Sequence, residues 1–272
     1  MPDMRIRRAA PADLPVLTRL WQAAFDDPPE LIERFYRRFP PEKAAWVVEA
    51  GGCVVTAAHL LEGRLHTADG GVLPCAYVYA VSTDPAHQGN GYASALMRRF
   101  AMDADASGCV LYTLPAEASL YKWYQAVMGT TQTARGERLR IARQQTDSTS
   151  PSVTRISAQE YAALRAQLLH GQAYTEPTAA LLDFQADLCS MSGGALVHIG
   201  SGCAVVERDG DTLIIKELLG ADTASAAQAL LAAFDAQAAQ VCLQRQDGAQ
   251  PMAAYRPFCR DTADIFWGLY LD

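Results

Sequence analysis

The segment that most restricts this 272-residue chain is Cys75-Ala-Tyr-Val-Tyr-Ala-Val-Ser-Thr83, together with the loop and helix behind it. Its β-branched and aromatic residues predict the strongest strand in the sequence. Asp84-Pro85 ends that strand, and a loop containing Gly89 and Gly91 opens an amphipathic helix over about residues 92–106, with Leu96, Met97 and Phe100 facing inward. Such a loop aims successive backbone N–H groups outward at a helix N-terminus. Together with the helix dipole they make a site for an anion such as a pyrophosphate. Gly89 and Gly91 carry no Cβ, so the backbone can approach a ligand closely. A turn and helix with no ligand is the competing reading of the same residues.

Around this segment the chain alternates strands and helices. Short strands are expected at Met4–Arg8, Ala44–Glu49 and Cys53–Leu61, the last two joined by Gly51-Gly52, with a further partner near Arg64–His66. Helices are expected from Pro11, carrying Leu14, Leu17, Leu20 and Trp21, and over Glu30–Phe39. Downstream lie a strand at Cys109–Leu114, a helix at Ala118–Val127 and a strand at Gln132–Ala142. The polar stretch 144–152 reads as a linker between pieces of about 145 and about 120 residues, each of single-domain size. The domains are therefore expected at 1–143 and 153–272. The second piece is expected to hold helices at Ala158–Leu169, Ala179–Met191 and Thr223–Ala239. Its strands are expected at Ala195–Ile199, Cys203–Arg208, Thr212–Leu218, Gln240–Gln244 and Ile265–Leu271. The order hairpin, strand, turn, helix, strand repeats that of the first piece.

Known phosphate-binding loops can be tested against residues 88–94. A Walker A motif needs Gly-Lys-Ser/Thr, which is absent. A dinucleotide fingerprint needs a third glycine where Ser94 stands and an acid after the next strand, and Cys109–Leu114 carries none. The coenzyme A loop, Arg/Gln-x-x-Gly-x-Gly/Ala, is met by Gln88-Gly-Asn-Gly91-Tyr-Ala93.

The stretch Tyr77–Met97 resembles the central strand, loop and helix of the GCN5-related N-acetyltransferase (GNAT) family. Leu114-Pro-Ala-Glu-Ala-Ser-Leu-Tyr-Lys-Trp-Tyr124 resembles the segment where that family carries a tyrosine near the acetyl-CoA thiol. The second piece resembles the C-terminal half of tandem GNAT proteins, including the enhanced-intracellular-survival type. The cues are Ile215–Gly220, Arg256-Pro-Phe258 and Gly268–Asp272. It lacks the glycine loop after Leu219, so it reads as a degenerate partner domain. The resemblance implies an α/β fold with a mixed (α+β) sheet, complete in the first piece and reduced in the second.

The same resemblance implies direct transfer of acetyl from acetyl-CoA to an amine; no metal is expected, because the five histidines do not cluster with the cysteines. The pyrophosphate would rest on the amides of Gln88, Gly89, Asn90, Gly91, Tyr92, Ala93 and Ser94. The pantetheine would pair along Val81, Ser82 and Thr83 like an added strand. A main-chain N–H near Val81 would polarise the thioester carbonyl. The departing thiolate needs a proton at neutral pH, and Tyr124 is the expected donor, with Tyr121 on the same helical face as second candidate. Glu117 is a candidate base, and the terminal carboxylate at Asp272 is an alternative. Glu49 reads as a solvated strand end, and His59 and His87 as surface or satisfied strand and loop histidines. Phe25, Phe35, Tyr36, Trp46, Tyr77 and Tyr79 could line an acceptor pocket, Tyr77 and Tyr79 from one strand face.

Composition narrows the partners. Fifty per cent of residues are apolar and the net charge is −7. There is no Lys/Arg run and no uninterrupted apolar stretch long enough for a span, so neither nucleic acid nor membrane is expected. The seven cysteines form no CxxC pair and read as reduced residues of a cytoplasmic protein. The expected partner is a small-molecule or peptide amine, homo-oligomerisation is left open, and the net charge favours a cationic acceptor. A CoA-binding regulatory or scaffolding protein without turnover is the alternative function.

Overall fold

The computed structural model describes residues 4–130, 132–144, 151–245, 248, 250–256 and 265–268. Most of the 144–152 linker, Cys259, Pro257-Phe258 and the terminal stretch 269–272 with Asp272 lie outside the described residues.

The first half opens with β1 (Met4–Arg8), paired antiparallel to β2. Helix α1 (Leu14–Phe25) has proline in its first turn, where the missing N–H costs nothing, and buries Leu17, Leu20 and Trp21 at helical spacing. Helix α2 (Pro29–Arg38) buries Ile32, Phe35 and Tyr36, and one turn, α3 (Pro41–Ala44), leads into the sheet. Strands β2 (Ala45–Ala50) and β3 (Cys53–His66) join through Gly51-Gly52, both left-handed at φ 59° and 80°, a conformation that favours glycine. The strand expected separately near Arg64–His66 is the far end of β3. Leu61 and Leu65 stay buried along it, so nothing interrupts the ladder. Next along the chain come β4 (Val72–Thr83), α4 (Tyr92–Ser107), β5 (Val110–Thr113), α5 (Leu120–Met128) and β6 (Gln132–Ala142).

The second half contains β7 (Val153–Arg155), α6 (Ala158–Leu168), β8 (Tyr174–Pro177), α7 (Ala179–Ser192), β9 (Ala195–Ile199), β10 (Gly202–Asp209) and β11 (Thr212–Leu219). It ends with α8 (Thr223–Ala233), β12 (Ala238–Gln244) and β13 (Gln250–Arg256). The alanine-rich stretch 223–239 favours a helix by propensity throughout. The helix nevertheless stops at Ala233, because Asp235 turns left-handed at φ 47° and the next residues enter β12. Of the expected strand Ile265–Leu271, Ile265–Gly268 are described, and Phe266 makes one bridge to Tyr174.

The two halves exchange strands. The ladder runs β1-β2-β3-β4-β5-β13-β6-β12-β11-β10-β9-β7, with β8 added to β3. Strand β13, from the second half, is inserted antiparallel between β5 and β6, and β6 continues onto β12. The β4–β5 and β11–β12 contacts are parallel, which makes the whole sheet mixed. One apolar core packs α1 and α2 on the first half-sheet, a second packs α4 and α5 on its other face, and a third sits beneath α8.

Candidate active site

Strands β4 and β5 pair only from Cys75–Tyr77 to Val110–Tyr112 and then part. The fork opens a cleft of about 620 Å³, walled by β4 residues 77–81, residues 113–118, α5 and the end of α1. Two local features hold the fork apart. In β4, Ala80 and Val81 together oppose Ala58 of β3, a bulge with Ala80 at φ 46°. A left-handed conformation is strained for alanine and tends to mark functional sites. Beneath the bulge, His59 is buried, with Nδ1 3.4 Å from the Tyr79 carbonyl and Nε2 3.0 Å from the Tyr36 hydroxyl. A neutral ring donating from Nδ1 and accepting at Nε2 satisfies both contacts. Burial pushes its pKa down to about 4.

Val81, Tyr121, Tyr124 and Glu117 all line this cleft. Tyr124 is buried, and burial raises its pKa while the neighbouring Thr113 hydroxyl opposes the rise. Tyr121 is half-buried and its pKa is also raised by burial, with the Arg138 charge opposing. Glu117 is exposed at the rim and accepts from Ser119. Among the aromatic candidates, Phe25, Tyr77 and Tyr79 reach the cleft, and the Tyr77 and Tyr79 ring centroids lie 5.6 Å apart. Phe35 and Tyr36 sit in the core, and Trp46 packs on Phe100 beneath the opposite sheet face. Glu49 is not simply solvated, since it accepts from Arg7 at 2.9 Å. His87 lies 3.5 Å from Asp84.

The loop after β4 presents backbone. Gly89 and Gly91 are left-handed at φ 77° and 80°, and a Cβ on either would meet nothing within 4 Å. Open space therefore lies before the first amides of α4, whose N-cap, Gly91, supplies no side-chain cap. Asn90 folds its side-chain amide back onto the His87 and Gln88 carbonyls, and the Gln88 amide reaches the Thr83 carbonyl at 3.5 Å. The Tyr92 ring and the Ser82 side chain are buried, so these two residues offer main chain to a ligand, not side chain. Thr83 bonds Thr56, and Ala93 is half-buried. Ser94 accepts from Trp123 Nε1 at 3.1 Å, fixing α5 to α4 and hence Tyr124 to the loop.

Trp21, Asp27, Thr113 and Arg138 also line the cleft, and the sequence pattern marks none of them as site residues. Trp21 Nε1 donates to Asp27 at 2.7 Å, holding a carboxylate in the cleft lining. No periodicity flags that pair, because it depends on how α1 crosses the end of β4.

The profile of the acetyltransferase (GNAT) domain family matches residues 5–126. The match covers just under half of the chain, and the matched stretch contains the fork, the bulge, the glycine loop and Tyr124. No curated protein sequence matches the chain. Among solved structures, a GCN5-related N-acetyltransferase from Anabaena variabilis is similar at 14% identity and TM-score 0.70, covering 94% of this chain and 71% of that one. Eis1 from Mycobacterium abscessus is similar at 14% identity and TM-score 0.67, over 94% and 74% of the two chains. A tandem GNAT protein from the clavulanic acid biosynthesis pathway aligns at 13% identity and TM-score 0.55, over 93% of this chain and 97% of that one. These likenesses concern the fold, and they extend the GNAT plan through both halves.

The second half has a fork of the same kind. Strands β11 and β12 pair over Thr212–Ile215 and then part, and Lys216 is the extra residue of a bulge opposite Val205/Val206. This second fork is filled. Glu217 of β11 lies against Gly268, and Gln244 of β12 accepts from Trp267 N–H at 2.9 Å and donates to the Ile265 carbonyl at 2.5 Å. At the α8 N-terminus the Asp222 carboxylate accepts from Ser225 N–H at 2.9 Å. An internal anion thus occupies the place left open before α4.

Proposed function

We propose that the protein transfers acetyl from acetyl-CoA directly to a primary amine held in the cleft beside β4. The single observation that carries this reading is the conjunction of the uncapped α4 N-terminus with the forked, bulged β4 and the buried Tyr124. An anion-binding end, a strand-like edge and a proton donor then succeed one another along one strand and its loop. The amides from Gln88 to Ser94 hold the pyrophosphate. The unpaired edge at Val81–Thr83 hydrogen-bonds the pantetheine, and the Val81 N–H stabilises charge developing on the thioester oxygen. The amine nitrogen forms the new C–N bond as the C–S bond breaks, the Tyr124 phenol protonates the departing sulfur, and the ammonium proton leaves through Glu117 or water. Tyr121 is the second candidate donor. Trp21, Phe25 and Asp27 suit an acceptor with an apolar body and a cationic end.

The test is thiol release from acetyl-CoA across a panel of mono- and polyamines. Turnover on at least one amine is expected, with Tyr124→Phe lowering kcat about 100-fold and Gly91→Val abolishing CoA binding in a folded protein. Tight CoA binding without turnover on any amine would leave the regulatory CoA-binding role instead.

A further inference from the structure

The β3–β4 register changes at one place beside the cleft. Tyr79 stands opposite His59 and Ser82 opposite Ala57, so Ala80 and Val81 share Ala58. Tyr79 and Ala80 both pack into the core of α1 and α2, and Val81 packs into that of α4, as an inserted residue requires. The insertion decides where one N–H points. Asp84 N–H donates to Val55 O at 2.9 Å, and hydrogen-bonded pairs alternate along an antiparallel ladder. The residue opposite Ala57, Ser82, therefore also turns its N–H to β3. Val81, one residue earlier, turns its N–H to the other edge, which β5 leaves after Tyr77. Without the inserted residue Val81 would itself face Ala57, and its N–H would be used within the sheet.

His59 is the side chain that holds this arrangement. The Tyr79 carbonyl can only accept, so Nδ1, 3.4 Å away, carries the ring proton. Nε2 is then an acceptor, and the Tyr36 hydroxyl donates to it at 3.0 Å. The ring is buried, with 1% of its surface exposed, so both contacts are fixed in direction. The Tyr79 carbonyl belongs to the peptide just before Ala80, whose φ of 46° is strained for alanine. A donor fixed on that carbonyl holds the peptide that the strained residue needs.

We infer that His59 is a positioning residue for acetyl transfer: its Nδ1–H pins the Tyr79–Ala80 peptide, which keeps Ala80 in the bulge and aims the Val81 N–H into the fork. The inference rests on the reading of Val81 as donor to the thioester oxygen, and it names what aims that donor. His59 exchanges no proton in this role, and Tyr36 acts only by fixing the ring. Aim matters because an oxyanion donor works only within about 3 Å of the charge that develops. A register slip of one residue would turn the Val81 N–H back into the sheet.

The test compares two amides at one position in the full chain, with an amine that the wild type acetylates. In His59→Asn the side-chain amide stands where Nδ1 stood. In His59→Gln it stands where Nε2 stood, and the Tyr79 carbonyl loses its donor. His59→Asn should keep kcat within about threefold of wild type, and His59→Gln should lower it about 10- to 100-fold. KM for acetyl-CoA should stay unchanged in both, since the loop at 88–94 is untouched. Ala80→Gly takes a left-handed φ without strain, so it should restore most of the kcat lost in His59→Gln. The infrared carbonyl stretch of carbonyl-labelled acetyl-CoA, bound without an amine, reads the donor directly. It should fall in frequency on wild type and on His59→Asn, and return toward the free value on His59→Gln. If both variants fail to fold, Tyr36→Phe takes their place and should lower kcat about three- to tenfold. Equal kcat in folded His59→Asn and His59→Gln, an undiminished carbonyl shift in His59→Gln, or unchanged kcat in Tyr36→Phe would overturn the inference. No carbonyl shift on the wild type would instead remove the Val81 reading on which the inference stands, a result distinct from the others.

Discussion

His59 shows what a single buried ring contributes at the heart of the fold. Trp21, Phe35, Tyr36 and Tyr79 surround it, and its two nitrogens meet the Tyr36 hydroxyl and the backbone of the β4 bulge. Burial away from water disfavours the protonated ring, which pushes its pKa down to about 4 from the usual 6.5. The unfolded chain binds a proton at pH 5 to 6 while the native protein does not. Stability from this residue is therefore full above about pH 6.5 and is lost as pH falls toward 4, by about 3 kcal/mol in all. Urea unfolding from pH 7.5 to 4.5 should show this loss, and His59→Gln, less stable at every pH, should lack this component of the slope. A wild-type curve parallel to that of the variant would contradict the assignment. The sequence leaves His59 as a surface or a satisfied strand histidine, and the structure buries it with both nitrogens partnered. What it satisfies is a bulge, which becomes visible only once the β3–β4 register is known.

The helices behind the two forks differ at one end. Helix α4 starts at a left-handed Gly91 with no side-chain cap, and α8 starts at Asp222 with a bonded carboxylate. Asp222→Ala should lower stability by about 1 kcal/mol in thermal or urea unfolding and leave acetyl transfer unchanged. A loss of turnover at full stability would mean that the second half takes a direct part in the chemistry. At this scale much is legible in the sequence. Glycines at 89 and 91, the strand before them and the apolar face after them mark α4 and its loop, because local patterns encode local structure. Helix ends in alanine-rich sequence are not legible: α8 stops where Asp235 turns left-handed, and no glycine or proline announces it. Strand β13 escapes a sequence reading because Gln250–Arg256 has neither alternation nor β-branched residues, and its place depends on edges supplied by β5 and β6.

Strand exchange decides what counts as a folding unit. Among the described residues the first half carries the cleft lining, yet β13 lies against β5 over Leu111–Thr113 and against β6 over Gln132–Gly136. The wall bearing Thr113 thus leans on a strand from the far end of the chain. Further contacts join the halves: β8 on β3, the Phe35–Phe184 pair at 5.4 Å, and Arg38 with Asp183 and Asp187 at 3.3 and 3.2 Å. The ion pairs are half-exposed and add little, whereas the strand pairings satisfy backbone along whole edges. In the second half, buried Arg165 bonds Glu217 at 2.8 Å and the Thr175 carbonyl at 2.5 Å, and Thr175 holds the Trp267 carbonyl. Trp267 in turn packs on Tyr112, and Tyr112 on cleft-lining Tyr77. Removing one partner of a buried ion pair strands the other, so Glu217→Ala should cost roughly 3–5 kcal/mol and weaken the support beneath Tyr112. Residues 1–143 expressed alone should therefore aggregate or unfold without a cooperative transition, with unpaired edges on β5 and β6. The pieces 1–143 and 153–272 expressed together should co-purify one to one and acetylate amines at a rate near that of the intact chain, since the 144–152 connection makes none of these contacts among its described residues. A monomeric, cooperatively folding 1–143 fragment with full acetyl-CoA turnover would show that β13 is dispensable and that the second half has no part in building the site.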